Sequence, residues 1–182
     1  MVMMFRFLLA WLTHRLRGPL GVLDTGVLSM RVWPTDLDMN VHMNNGRYFT
    51  AADIGRLDWW LRTGVMKKAL ARGWGPVAGD ANGRFSRSLQ PFEKFAVHTR
   101  LIGWDSKWLF KEHRFVSQSG QVVAVIVVRY LFRSRKAQHS PAEVLALVGH
   151  REPSPPLPDW VRDWHRAQNE LTASLKAARA RG

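Results

Sequence analysis

The sequence predicts an α+β domain built on an antiparallel sheet, and three observations lead there. A strand-like segment is followed by one long helical pattern and then by four consecutive strand-length segments, the element order of an α+β fold. The long helix carries Ala51, Ala52 and Gly55, small residues that let it lie close against a sheet. Residues 122–128 are unbrokenly apolar, the pattern of a central strand covered on both faces.

The elements follow in chain order. Residues 1–18 are apolar early and basic late. Phe5, Leu8, Leu9, Leu12 and Leu16 recur at helical spacing while Arg6, Arg15 and Arg17 supply cations, which predicts an amphipathic helix suited to a membrane interface or to packing on the domain or a partner. The uncharged stretch 7–13 is far shorter than the roughly 20 residues that span a bilayer, and no small-residue cleavage site follows. Residues 27–33 read as a strand that Pro34 ends in a loop.

A helix is predicted over 44–63, capped by Asn44 or Asn45, with Tyr48, Ala52, Gly55 and Trp59 at helical spacing. A shorter helix over 66–71 ends at Arg72-Gly73. Strands are predicted over 77–89, 95–104, 107–117 and 121–133, with breaks at Gln90-Pro91, Asp105-Ser106 and Ser119-Gly120. In the second of these Phe95, Val97, Thr99 and Leu101 alternate with the other face. Residues 151–158 form a Pro-rich linker before a terminal helix whose buried face is predicted to run through Trp160, Trp164, Ala167, Leu171, Leu175 and Ala178. The organisation is a segment 1–18, one domain over 25–150, and a linker with helix over 151–182.

Composition narrows the function classes. Hydrophobic residues make up 46% of the 182, enough for a core, so a disordered chain is excluded. Twenty-seven Lys and Arg against fourteen Asp and Glu leave +13, which favours an anionic partner such as cofactor phosphates or a lipid surface. The cations are dispersed and accompany no nucleic-acid motif, so nucleic acid is not an expected partner. With no Cys there is no disulfide, thiolate nucleophile or Cys-ligated zinc. The seven His lack a ligand spacing, so no metal is implied, and no Gly-rich phosphate loop is present.

The densest chemistry lies in residues 36–48: Asp36, Asp38, His42, Asn44 and Asn45 just ahead of a helix start. Unpaired N–H groups collect there and favour negative charge. One short stretch thus offers a base and an oxyanion site.

The pattern Asp-x-Asp, His six residues after the first Asp, then x-Asn-Asn-x-x-Tyr and a helix resembles the acyl-CoA thioesterases of the hotdog superfamily, the 4-hydroxybenzoyl-CoA thioesterase-like proteins. Residues 100–105 and 112–116, with the Pro-rich linker and terminal helix, look like the thioesterase-superfamily-member-six branch. The resemblance implies an antiparallel sheet wrapped around one long central helix, with extra N- and C-terminal helices. It also implies a homodimer or homotetramer whose pocket is shared between chains, and a role in lipid metabolism. Many members carry Gly immediately before the His. Here Val41 stands instead, which implies a loop with less backbone freedom.

By this resemblance Asp38 is the catalytic carboxylate, either general base on water or direct nucleophile, and the backbone N–H of Asn45 donates to the oxyanion. Asp36 reads as a loop-shaping residue, and His42 either orients Asp38 or the substrate or is a structural histidine. Asp53, which the helical spacing pairs with Arg56, is the reserve catalyst. Asn44, an N-cap first, and Tyr48, a residue of the packed helix face, are carried over as substrate contacts. Arg84, Arg87 and Lys94 are the candidate cations for the phosphates of coenzyme A, which enters as part of the substrate and not as a separate cofactor.

Two function classes follow. One is a thioesterase that hydrolyses acyl-CoA or another acyl thioester, cytoplasmic or peripheral to the inner face of a membrane. The other is a non-catalytic acyl-thioester or lipid binder that rests on the membrane through residues 1–18.

Overall fold

The computed structural model describes residues 2–180, so Met1 of the N-terminal segment and residues 181–182 of the C-terminal segment lie outside it. In chain order it contains α1 (Val2–Thr13), β1 (Gly26–Arg31), α2 (Asn45–Arg62), α3 (Val65–Leu70), β2 (Gly75–Phe85), β3 (Lys94–Trp104), β4 (Leu109–Ser117), β5 (Val122–Arg133), β6 (Gln138–His139), α4 (Pro141–Ala146) and α5 (Asp159–Arg179). The strands form one antiparallel sheet in the order β1-β3-β4-β5-β2, with β6 also on β5.

The expected α+β class is found, with the long helix α2 held against the inner face of the sheet. Ala51 and Ala52 are buried there. Gly55 is closer still: a Cβ at this position would meet Thr99 Oγ1 at 2.7 Å and Val97 Cγ1 at 3.0 Å. The β3 alternation read from sequence holds, since Phe95, Val97, Thr99 and Leu101 are all buried. β5 is covered on both faces as expected. Ile126 and Val128 join the main core with α2, while Val127 joins a second cluster with Ile102, Trp108, Phe110 and Val161 of α5.

The sheet's inner face also carries two basic side chains in apolar surroundings. Lys111 and His113 on β4 are fully buried. Lys111 Nζ lies 3.4 and 3.1 Å from the ring centroids of Trp59 and Trp60 and has no hydrogen-bond acceptor among the described residues. Burial, reinforced by the nearby Arg56 charge, holds its ammonium pKa well below the ordinary lysine range. His113 Nδ1 pairs with Thr99 Oγ1 at 2.9 Å, and burial, with Lys111 and Arg56 beside it, likewise pushes its pKa down.

The first segment is a helix packed on the domain, one of the two arrangements its pattern allows. Arg6 and Arg17 of the first segment do not form a solvated basic face. They turn inward onto Asp36 and Asp58, at 2.7 and 2.6 Å, because those carboxylates are buried and require partners. The outer side of α1 is consequently apolar, with Met4, Phe5, Leu8, Leu9, Trp11 and Leu12 between 47% and 75% exposed.

At the other end, α5 docks through Val161, Trp164 and His165, not through the whole predicted face. Trp160, Leu171 and Leu175 are exposed. The helix's rotation is set by Arg129, a buried guanidinium stacked on Trp108 that donates to Asp80, to His165 Nδ1 and to Asn169 Oδ1. Sequence reading also passed over β6 and α4. The latter begins at Ser140-Pro141 with a reciprocal Ser140–Glu143 capping box.

Two stability predictions follow from this packing. Gly55→Ala gains about 1 kcal/mol of helix propensity but overpacks a contact whose relief typically costs about 1–3 kcal/mol. Urea denaturation is expected to show a net loss, and equal or greater stability would contradict the close approach. Lys111→Met removes a group whose charging is disfavoured on folding, so it is expected to raise the urea midpoint at neutral pH. Because the folded pKa lies below the unfolded value of about 10.4, the unfolded chain binds more protons between the two. The variant's advantage is therefore expected to shrink as pH rises towards that value.

Candidate active site

The polar loop is shaped by its own carboxylates. Pro34–Asp36 forms a short turn in which Asp36 Oδ2 accepts from the Trp33 N–H at 2.9 Å. Arg6 donates to both Asp36 oxygens, at 3.2 and 2.7 Å, and also to the Arg31 carbonyl at 2.7 Å. The Asp36 carbonyl in turn accepts from Asn44 N–H at 2.9 Å. One buried residue thus joins α1, the end of β1 and the start of α2, which supports the loop-shaping role read for Asp36.

Within that frame the chain makes a tight excursion. Leu37 and Met43 bridge as a minimal antiparallel pair. Asp38 N–H donates to the His42 carbonyl at 2.9 Å, and Val41 N–H donates to the Asp38 carbonyl at 3.1 Å. Asp38 Oδ1 accepts from Asn40 N–H at 2.9 Å and His42 N–H at 3.4 Å. The other carboxylate oxygen, Oδ2, has no hydrogen bond among the described residues, and the side chain is half-buried. His42 therefore orients Asp38 through its backbone. Its imidazole has no hydrogen-bond partner among the described residues.

Val41 adopts φ +59°, the left-handed region that glycine occupies without penalty. Val41 thus holds a conformation that glycine adopts freely. A β-branched residue instead accepts strain of about 1–3 kcal/mol at the tip of the loop.

Asn44 caps α2, its Oδ1 accepting from Gly46 N–H at 2.8 Å. Asn45 follows as the first helical residue, exposed, with an N–H that has no acceptor within the helix. The helix N-terminus adds partial positive charge at the same place.

The remaining candidates are dispersed. Tyr48 is 1% exposed, its ring edge-on to Phe85 and Phe115 and its hydroxyl accepting from Leu89 N–H at 3.0 Å. This is the packed face of α2, not a substrate surface, because the residue sits on the sheet side of the helix. Burial raises its pKa. Asp53 pairs with Arg56 at 2.9 Å as its spacing predicts, and burial raises its carboxyl pKa against the opposing effect of Arg56.

Arg87 is engaged by Glu93 at 2.5 Å, which lowers the Glu93 pKa. Arg84 is exposed on β2, while Lys94 opens β3 beside β1, towards the opposite edge of the strand order. The three cations do not converge within one chain.

Sequence reasoning missed a buried polar group behind α2. Arg56 donates to the Tyr130 hydroxyl and lies 4.7 Å from its ring centroid, and burial pushes the Tyr130 pKa up to about 12. Lys111 and His113 continue this basic set. The β4 alternation Leu109-Lys111-His113-Phe115 was the available signal. Among the described residues no group of three or more His, Cys, Asp or Glu is placed to hold a metal.

Residues 32–165 match the model of the thioesterase-like superfamily. The protein THEM6 of Xenopus laevis is 32% identical over 147 residues, 80% of this chain and 70% of its own length. The thioesterase lcsJ of Purpureocillium lilacinum is 29% identical over 153 residues, 71% of this chain and 50% of its own. Among solved structures, the probable thioesterase YbaW of Escherichia coli superposes with a TM-score of 0.62 at 19% identity, over 68% of this chain and 98% of its own. The structural likeness gives the chain the hotdog fold, and the match over residues 32–165 shows that it belongs to the thioesterase-like superfamily.

Proposed function

We propose that this protein hydrolyses acyl thioesters, with acyl-CoA as substrate, using Asp38 as the reactive carboxylate and the Asn45 N–H as oxyanion donor. The observation that carries the proposal is the state of Asp38. One oxygen is fixed by loop N–H groups while the other is unpaired, in a loop tied to the start of a helix whose first N–H lacks an acceptor.

In the general-base route, Asp38 takes a proton from water as the water oxygen attacks the acyl carbon. The carbonyl oxygen becomes an oxyanion facing the helix start, where one donor is typically worth about 3–4 kcal/mol. Collapse breaks the C–S bond, and the thiolate leaves with the proton that Asp38 held. In the alternative route the Asp38 carboxylate attacks the acyl carbon, the C–S bond breaks and the thiolate leaves, and water then hydrolyses the mixed anhydride to the free acid, restoring the Asp38 carboxylate and giving up a proton to the thiolate.

The substrate's other half requires more than one chain. β2 is an 11-residue strand at the open end of the sheet, and its exposed backbone edge supports pairing with a second copy in a homodimer or homotetramer. Such pairing would bring cations such as Arg84 to a pocket from the partner side. Asp53 remains the reserve catalyst. Its pairing with Arg56 makes it the weaker candidate, because the partnered carboxylate must leave Arg56 to react.

Localisation is proposed as cytoplasmic, with α1 resting on a membrane. No helix among the described residues is long and apolar enough to span one, but the exposed apolar side of α1 and the overall charge of +13 suit an anionic surface. The same surface favours the second reading, a non-catalytic lipid or acyl-thioester binder.

A panel of short, medium, long and aromatic acyl-CoAs, assayed by thiol release, separates the two readings. Turnover is expected on at least one, with Asp38→Asn lowering kcat about 10²–10⁴-fold, the usual contribution of a general base, and Asp53→Asn lowering it far less. Unchanged turnover in Asp38→Asn removes that residue from the chemistry. Absence of turnover on every member supports the binder.

A further inference from the structure

The loop that carries Asp38 is a small hairpin with its base at Asp36 and Asn44. The Asn44 N–H donates to the Asp36 carbonyl at 2.9 Å, Leu37 and Met43 bridge above it, and the Asp38 N–H donates to the His42 carbonyl at 2.9 Å. Both reacting groups of the proposed hydrolysis hang from this base. Asp38 lies just beyond Asp36, and Asn45 directly follows Asn44. The second strand of the hairpin is steadied by the Met43 N–H on the Leu89 carbonyl at 3.0 Å, so the first strand relies on Asp36.

Asp36 is fully buried, and the charge that compensates it comes from the N-terminal helix. Arg6 Nη1 and Nη2 donate to Asp36 Oδ1 and Oδ2 at 3.2 and 2.7 Å, and Nη2 donates also to the Arg31 carbonyl at 2.7 Å. One guanidinium thus fastens the hairpin base to the last residue of β1. Arg6 itself borders a groove of about 990 Å³ between α1 and β1, a space that Asp38, His42, Asn44 and Asn45 do not line. It therefore acts through Asp36 and not by touching the thioester.

Removal of Arg6 leaves a buried carboxylate without its cation, which is strongly unfavourable. Turning the Asp36 side chain out to water relieves that, and the same residue's carbonyl closes the hairpin base. Misplacing a positioned group by about 1 Å typically costs about 10²-fold in rate. We propose that Arg6 is a positioning residue for thioester hydrolysis: from α1 it fixes Asp36, and through Asp36 the placement of Asp38 relative to the Asn45 N–H. This role rests on the hydrolase reading of those two groups.

Thiol release from the acyl-CoA panel, together with amide hydrogen exchange, tests it in the full chain with Arg6→Met, a change that keeps helix propensity. The expected result is a kcat about 10- to 100-fold lower with KM within about threefold, because Arg6 makes no contact to the substrate. The Trp33 and Asn44 N–H groups, both bonded to Asp36, are expected to exchange about tenfold faster or more while the β5 amides keep their protection. Arg17→Met is the control. Arg17 donates to the buried Asp58 far along α2, at 2.9 and 2.6 Å, so it ties the same terminal segment to the domain without reaching the loop. Its loss is expected to leave kcat within about twofold of wild type, whatever it does to the melting temperature. Should Arg6→Met fail to fold, Arg6→Met/Asp36→Asn leaves no buried charge unpaired while still cutting the tie to α1, and the same loss of kcat is expected of it.

Wild-type kcat in the folded variant, unchanged exchange at Trp33 and Asn44, or an equal loss of kcat in Arg17→Met would overturn the positioning role and leave the hydrolase reading in place. A wild type that releases no thiol from any acyl-CoA would end that reading, and the role of Arg6 with it.

Discussion

The carboxylate of Asp36 is the constraint on which the rest of the structure depends. It is fully buried, and an uncompensated buried charge is costly enough that its partners must all be in place. Those partners are Arg6 of α1 and the Trp33 N–H that leaves β1, while its own carbonyl holds the Asn44 N–H that opens α2. Three elements are thereby fixed around one residue, two by its side chain and one by its carbonyl. The loop bearing Asp38 and the groove beneath α1 are both consequences, because each is bounded by segments that Asp36 ties together.

A second constraint places the helix. Gly55 lets α2 approach β3 to within contact of Thr99 and Val97, and Thr99 in turn holds the buried His113. The N-terminus of α2 is then directed by packing far along its length, not by the cap alone. This links core geometry to chemistry: the exposed N–H of Asn45 points where it does because residues three turns on cannot move away from the sheet. Lys111 and His113 illustrate the opposite tendency, basic groups whose charged forms burial disfavours and which pack beside the large aromatic core.

Much of this was legible in the residues. The small side chains at 51, 52 and 55, the alternation along β3 and the apolar run of β5 each follow from a period that any packed sheet imposes. The polar loop was legible too, because Asp, His and Asn ahead of a helix have few structural reasons to crowd together. The ion pairs of Arg6 and Arg17 were not legible because their partners lie 30 and 41 residues away, and helical spacing carries no trace of distant carboxylates. The face of α5 was misread for a similar reason: Arg129, on β5, sets its rotation. The groove between α1 and β1 is assembled from three separated segments and has no linear signature.

The placement of Asp38 and the Asn45 N–H about a thioester carbonyl is tested most directly by a crystal structure with a non-hydrolysable acyl-CoA analogue bound. The carbonyl oxygen of the analogue is expected about 2.7–3.1 Å from the Asn45 N–H, with the unpaired oxygen of Asp38 facing the acyl carbon. An analogue bound with its carbonyl remote from both residues, or facing Asp53 instead, would contradict it.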